Sequence, residues 1–477
     1  MNIKTYKALC STCNDIIRKN FNLYKLSIPY LNIIRPHPSF LEKYNINDSK
    51  TNNGPGFWIR LVNLFRPDPN RSFITGLDYD VVIVSHLINE KDFINNVDLY
   101  FPDFAQCFKE QNAKCLFLMI NHTKTSAQIL QEKTTNQVNV YKYILPGKVI
   151  FTREIWHIIN LLRQIIILRF QAIFESGLNK HVLLGASSLS GLVGALANLR
   201  IASQVQDFVR ECRPRVILTT FEGHPWEKIV YSKIYDVDRS VTRVGYQHSV
   251  VNKDSNSLFQ SFGLNSDPDI ILTSGLVTQD LFAKYHENRN VDIHMVGSHK
   301  SNKAEGFSKK SNKTCLVIPE GILSECELLF KFSMSCALKF PDVRFIWRLH
   351  SLISFKQVLH VLKTSIDSIP SNIELSNKSL SSDIQSSSFA IYRGSTAIVD
   401  AVKQGVVPLY LDREKEISIN FFGQHIYKDF VIKTELDFIK FIRYGKVLNL
   451  EKFITFSEKY FTPFNCSSLG VLLNEKK

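Results

Sequence analysis

The sequence predicts an α/β protein built as two Rossmann-like domains that face each other across a cleft. Three observations lead there. Short apolar runs, most of them rich in β-branched residues, stop at polar or glycine residues in the manner of strands buried on both faces. Longer segments with helical spacing lie between them, so strand and helix alternate as in parallel sheets. The alternation breaks once, at a polar basic stretch, and then restarts.

In chain order, residues 1–75 read as an irregular N-terminal segment, with "NDSKTNNGPG" at 47–56 forming a loop of turn residues. A first domain follows over residues 76–298. Its strands are "YDVVIVSHL" (79–87), "AKCLFLMIN" (113–121), "RPRVILTTFEG" (213–223), "TRVGYQHS" (242–249) and "PDIILTSG" (268–275), with helical spacing at 155–174 and 196–212. Residues 299–313, "HKSNKAEGFSKKSNK", read as a linker. A second domain over 314–477 offers strands at 314–321, 343–350, 372–377, 389–395 and 406–412, and helices at 323–340 and 395–404.

Composition excludes several classes. The 477 residues are 44% hydrophobic and 21% charged, which suits a globular chain and not a disordered one. Basic residues near the N-terminus lack a following apolar run, which argues against a secretory signal. No stretch of 18 apolar residues occurs, which argues against a membrane-spanning helix. Residues 155–174 instead read as an amphipathic helix, with packing in the core ahead of rest on a membrane surface. Nine scattered cysteines do not form a secreted disulfide framework, Cys10 and Cys13 read as two ordinary thiols, and a reducing cytosol is expected. The net charge of +14 fits a phosphorylated substrate, nucleic acid or an anionic membrane. No nucleic-acid motif accompanies it, so a nucleic-acid partner is not expected.

Polar residues collect where strands end, which is where ligands of such sheets bind. After residues 216–220 come Glu222, Gly223, His224, Trp226 and Glu227, a candidate acid/base cluster in which Glu227 reads equally well as a helix cap. Gln247 and His248 end the next strand. In the second domain Glu320 and Gly321, then Arg348 and His350, then Arg393, Gly394, Ser395 and Thr396 occupy three strand ends. The last turn leads into a helix and reads as an anion site for phosphate. Phosphate-binding P-loops are absent. Asp-x-Asp pairs at Asp78/Asp80, Asp236/Asp238 and Asp267/Asp269 sit before strands or between elements, so no metal site is expected.

The strings "FEGHPWEKIVY", "GYQHS", "PEGI" and "YRGSTAIVDAV" with "GVVPLYL" resemble bacterial surface-carbohydrate biosynthesis proteins of GT-B glycosyltransferase type, over roughly residues 213–412. The layout is also similar to transferases of CMP-activated sugars, the sialyl-, polysialyl- and Kdo transferases. Glu222-Gly223 would match their acidic-Gly motif, His350 their His-Pro motif and Ser395-Thr396 their Ser/Thr pair. Ser351 follows His350 where that motif has Pro, and Phe221 stands where a second acid is common.

The resemblance implies an inverting glycosyltransferase that needs no metal. Its donor would be a CMP-linked nonulosonic acid or Kdo-type sugar, and its acceptor a surface polysaccharide or glycolipid. Glu222 would be the base, supported by His224 or His248, and Arg348 or Arg393 would meet the sugar carboxylate. Three alternatives stand beside it: a CDP-donor glycerophosphate or sugar-phosphate transferase, a glycosyltransferase with a UDP- or GDP-sugar donor, and a basic protein that binds anions or membrane without catalysis. The expected place is the cytoplasm, with loose association at the cytoplasmic face of the inner membrane.

Overall fold

The computed structural model describes residues 1–20, 27–44, 78–90, 93, 98–134, 140–147, 149–263, 265–287, 290–301, 313–351, 353–444 and 450–473. Two parallel sheets organise them. The first has seven strands in the order β3-β2-β1-β4-β5-β6-β7. These are β1 Val81–Leu87, β2 Cys115–Asn121, β3 Val140–Leu145, β4 Val216–Thr220, β5 Thr242–Gln247, β6 Ile270–Thr273 and β7 Asp292–Met295. The second has six, in the order β10-β9-β8-β11-β12-β13. They are β8 Thr314–Ile318, β9 Arg344–Trp347, β10 Ile373–Leu375, β11 Phe389–Tyr392, β12 Val407–Leu411 and β13 Val431–Ile432. The fold class read from the sequence, two Rossmann-like domains of GT-B-like layout, is the one observed.

Both faces of each sheet are covered, which explains the nearly continuous apolar strands. In the first sheet Val82, Val84, Leu116 and Leu118 meet one layer, while Val81, Ile83, Phe117 and Leu218 meet the other. The first layer is built by helices α2 (Phe151–Ile173), α3 (Gly177–Ala186) and α4 (Leu192–Cys212). No single helix among the described residues is long and apolar enough to cross a membrane. The bent pair α3 and residues 189–212 has the length and composition to do so, but buries Val182, Leu183, Leu196, Leu199 and Val205 in this core.

Three sequence expectations are corrected. Residues 1–75 are not irregular throughout, because α1 (Ile3–Lys19) buries Tyr6, Leu9, Cys13, Ile16 and Ile17 against the first domain. The second domain does not keep the whole of 314–477: after α8 (Glu451–Tyr460) the chain returns to the first. There Leu469 and Leu472 join the core of Phe104 and Phe108, Asn465 donates its backbone N–H to Val296 O at 2.8 Å, and Cys466 is bonded to Cys107. That bond is the third correction, since the cysteines were not read as a disulfide framework and a reducing compartment was expected. Cys10 and Cys13 do remain thiols, buried in α1, and burial raises both, Cys10 to about 12. Most of the expected linker, 302–312, lies outside the described residues.

Candidate functional site

Strand order reverses at β1/β4 in one sheet and at β8/β11 in the other, and a parallel sheet opens a crevice at such a point, outside the carboxyl ends of its strands. The chain puts its chemistry there. Beyond β4 the backbone turns through Gly223, whose φ of +83° and crowding favour glycine: a Cβ there would lie 2.3 Å from Ser257 Oγ. Glu227, in the first turn of α5 (Pro225–Val237), folds back beneath this turn. Its carboxylate accepts the backbone N–H groups of Glu222, Gly223 and His224 at 2.8–3.2 Å and the Thr220 hydroxyl at 3.2 Å. It is 0% exposed, and burial pushes its carboxyl up to about 7. Glu227 therefore shapes the turn and presents nothing to a ligand.

Glu222 projects from that turn into the crevice between two imidazoles. His224 Nε2 lies 3.5 Å from one carboxylate oxygen and His248 Nε2 3.4 Å from the other. Burial would raise its carboxyl, but His248, His224 and the Ser249 hydroxyl outweigh that and hold it well below the usual range. Burial pushes His248 down to about 4 despite Glu222. His224 moves the other way, because its bond to Glu222 and the charges of Glu227 and Glu222 overcome its burial. The result is a carboxylate kept ionised.

Two histidines not singled out from the sequence complete this wall. His86 at the end of β1 and His122 just after β2 share a hydrogen bond of 2.8 Å, and His86 Nε2 is 3.3 Å from Thr220 Oγ1. Burial and the neighbouring imidazoles push His86 down to about 3. The Tyr100 ring meets His248 edge-on at 4.8 Å. Trp226 meets His86 at 5.5 Å but is otherwise buried in the core, and Gln247 is buried with its amide turned onto the Ser249 carbonyl.

Across the crevice Glu320 follows β8 in the space that Gly394 leaves empty: a Cβ on Gly394 would fall 2.0 Å from its carboxylate. His350 lies over Gly321 in the same way, at 2.7 Å from a notional Cβ. Ser395 and Thr396 form the turn from β11 into α7 (Ala397–Lys403), a helix of seven residues. The arginines are already paired. Arg393 is 1% exposed and held by Glu325 of α6 (Leu323–Lys339) at 3.3 Å and by Glu416 at 2.7 Å, so it is closed off from the crevice. Arg348 bonds Asp383 at 2.7 Å and remains 27% exposed.

The N-terminal segment joins the two walls. Asn32 donates to the Gly223 carbonyl at 2.9 Å, and the carbonyls of Ile33 and Ile34 accept the N–H groups of Ser257 and Asn256. Arg35 then reaches Glu320 at 2.5 Å, His37 lies 3.4 Å from Glu325, and Ser39 meets Ser324 at 2.8 Å. Lys300 also feels both halves: its amine interacts with Glu222 on one side and with Asp400 of α7 on the other. Burial raises the Asp400 carboxyl to about 6.

Among the described residues no three His, Cys, Asp or Glu side chains are placed to share a metal ion. Four of the six Asp-x-Asp carboxylates have structural partners: Asp80 accepts Lys114 N–H, Asp238 caps Ser240, Asp267 pairs with Lys228 and Asp269 with Arg243.

No described protein family matches the chain. No curated protein is similar to it in sequence. Solved structures are similar in fold. UDP-GlcNAc 2-epimerase from Neisseria meningitidis, bound to UDP-GlcNAc, is 9% identical over 82% of this chain and 98% of its own, with a TM-score of 0.47. The glycosyltransferase SnogD from Streptomyces nogalater is 8% identical over 83% and 100%, at 0.44. UDP-GlcNAc 2-epimerase from Methanocaldococcus jannaschii is 9% identical over 83% and 93%, at 0.41. At such identities and scores these likenesses carry no argument about substrate or reaction.

Proposed function

We propose that the chain is an inverting, metal-independent glycosyltransferase that moves a CMP-activated nonulosonic acid or Kdo-type sugar to a surface polysaccharide or glycolipid acceptor. The observation that carries this reading is the ionised Glu222, held between His224 and His248 at the strand-order reversal of one sheet. The reversal of the other sheet, with His350 and Ser395-Thr396 at its strand ends, is tied to this wall by Arg35 on Glu320 and by Lys300, which interacts with both Glu222 and Asp400. An acceptor hydroxyl bound beside Glu222 gives up its proton to that carboxylate as its oxygen bonds the anomeric carbon. The bond from that carbon to the phosphate oxygen breaks on the opposite face, and CMP leaves. Hydroxyls of Ser395 and Thr396 and the imidazole of His350 stabilise the charge on the departing phosphate. Arg348, still partly open, is the partner for the sugar carboxylate.

The test is a thermal-shift series with CMP, CDP, UMP, UDP, GDP and ADP, each with and without EDTA. A ligand at 100 times its Kd adds about 2.7 kcal/mol, which moves the midpoint by a few degrees. Stabilisation by CMP above the rest, unchanged by EDTA, supports the reading. Preference for CDP turns it into sugar-phosphate or glycerophosphate transfer, UDP or GDP changes the donor, and no shift with any nucleotide removes the enzyme. With a donor in hand, Glu222→Gln lowers turnover by about 10²–10⁴, and full turnover in that variant rules out Glu222 as the base.

A further inference from the structure

Helix α2 buries one face and leaves the other to solvent. Toward the core it packs Leu161, Ile165, Leu168 and Ala172. On the far side Ile155, Ile159, Leu162, Ile166, Phe170 and Ile173 recur at spacings of three and four, each between 39% and 68% exposed. Trp156 beside them is 57% exposed. A continuous apolar stripe of this kind is far more than the scattered exposed residues of an ordinary surface.

The charges on the stripe have one sign. Arg163 and Arg169 are both exposed, and the helix's single acid, Glu154, is buried in an ion pair with Arg200. The 23 residues run about 34 Å at 1.5 Å per residue, long enough to lie along a surface. An apolar face with aromatic side chains, arginines and no anion is complementary to lipid chains beneath anionic headgroups. A second copy fits less well. Arg163 stands at the middle of the helix, so a two-fold pairing through this face would set it against its own equivalent.

We infer that the exposed face of α2 docks the protein onto an anionic lipid bilayer, with the helix lying in the plane of the interface. This inference is independent of the transferase reading, since it needs neither donor nor acceptor.

Flotation of the full chain with vesicles tests it, using phosphatidylcholine alone and an equal mixture with phosphatidylglycerol. The chain floats with the anionic vesicles, less so as salt rises, and stays below with phosphatidylcholine alone. Ile166→Glu lowers partition by about tenfold or more, and Arg163→Gln and Arg169→Gln lower it by about fivefold each. All three positions are exposed, so the melting midpoint stays that of the parent and separates lost docking from lost folding. The inference is overturned if the chain stays below with anionic vesicles, or if Ile166→Glu floats as well as the parent. A soluble dimer that Ile166→Glu dissolves, without vesicle binding, likewise overturns it and gives the face to a second copy.

Discussion

Glu222 and Glu227 lie five positions apart on one turn, and their surroundings assign them opposite duties. Glu227 is sealed under the backbone and accepts three of its N–H groups, so Glu227→Gln turns an amide N–H₂ toward a donor and leaves a buried group unsatisfied. Such a change costs about 1–3 kcal/mol, to be read as a lowered urea midpoint. Glu222→Gln gives up the stabilisation that the two imidazoles lend the ionised carboxylate, so it too should lower that midpoint, but it differs from Glu227→Gln in leaving the turn's N–H groups paired while striking activity directly. The histidines set an acid limit. His157, bonded to Ser203 at 3.0 Å, and His248 are each pushed by burial from 6.5 to about 4, so the native state stays neutral where the unfolded chain takes up protons. Unfolding then binds protons between pH 6.5 and 4, and stability falls on acidification through that window. His157 alone accounts for up to about 3 kcal/mol of this, and His157→Gln should flatten the dependence of the urea midpoint on pH by that much.

At the scale of elements, the segment from Asn32 to Ser39 is the part whose loosening can be watched directly. Its carbonyls hold the amides of Asn256 and Ser257, and Arg35 anchors its far end on Glu320. A hydrogen bond to a charged group contributes about 1.5–3 kcal/mol, so Arg35→Ala should speed hydrogen exchange at those two amides by about tenfold or more. Unchanged exchange would mean the anchor does not hold the segment. This segment was not legible in the sequence, because its meaning depends on two lobes meeting, and no local pattern encodes that. The doubly buried strands were legible: β1, β2, β4, β5, β6, β8, β9, β11 and β12 are apolar for a reason intrinsic to their place, and the edge strand β10 was read as well, at 372–377. The strands missed were edges, β3 with Lys142 inside it, β7 with Asp292 and His294, and the two-residue β13. The site divides the same way. Glu222, His224 and His248 could be found because each trails a recognisable strand, whereas His86 and His122 join them only through sheet order, which sequence spacing does not give.

For the whole molecule, the return of residues 465–473 to the first domain decides what can be removed. Ending the chain after Tyr460 deletes Leu469 and Leu472 from the core of Phe104, Phe108 and Tyr246. Losing one such buried leucine costs about 2–5 kcal/mol. The shortened protein should therefore melt well below the parent, with the loss seen as exposed apolar surface in the first domain rather than the second; an unchanged midpoint would show that the returning segment is dispensable. The order of synthesis gives this closure a further meaning. Phe104 and Phe108 leave the ribosome more than 350 residues before Leu469 does. At about 5–20 residues per second, the first domain spends on the order of twenty seconds or more with that part of its interior still unwritten. Leu469 and Leu472 cover it only once they are made, so a nascent chain stalled before them carries an apolar opening that a chaperone can bind and the folded molecule does not show.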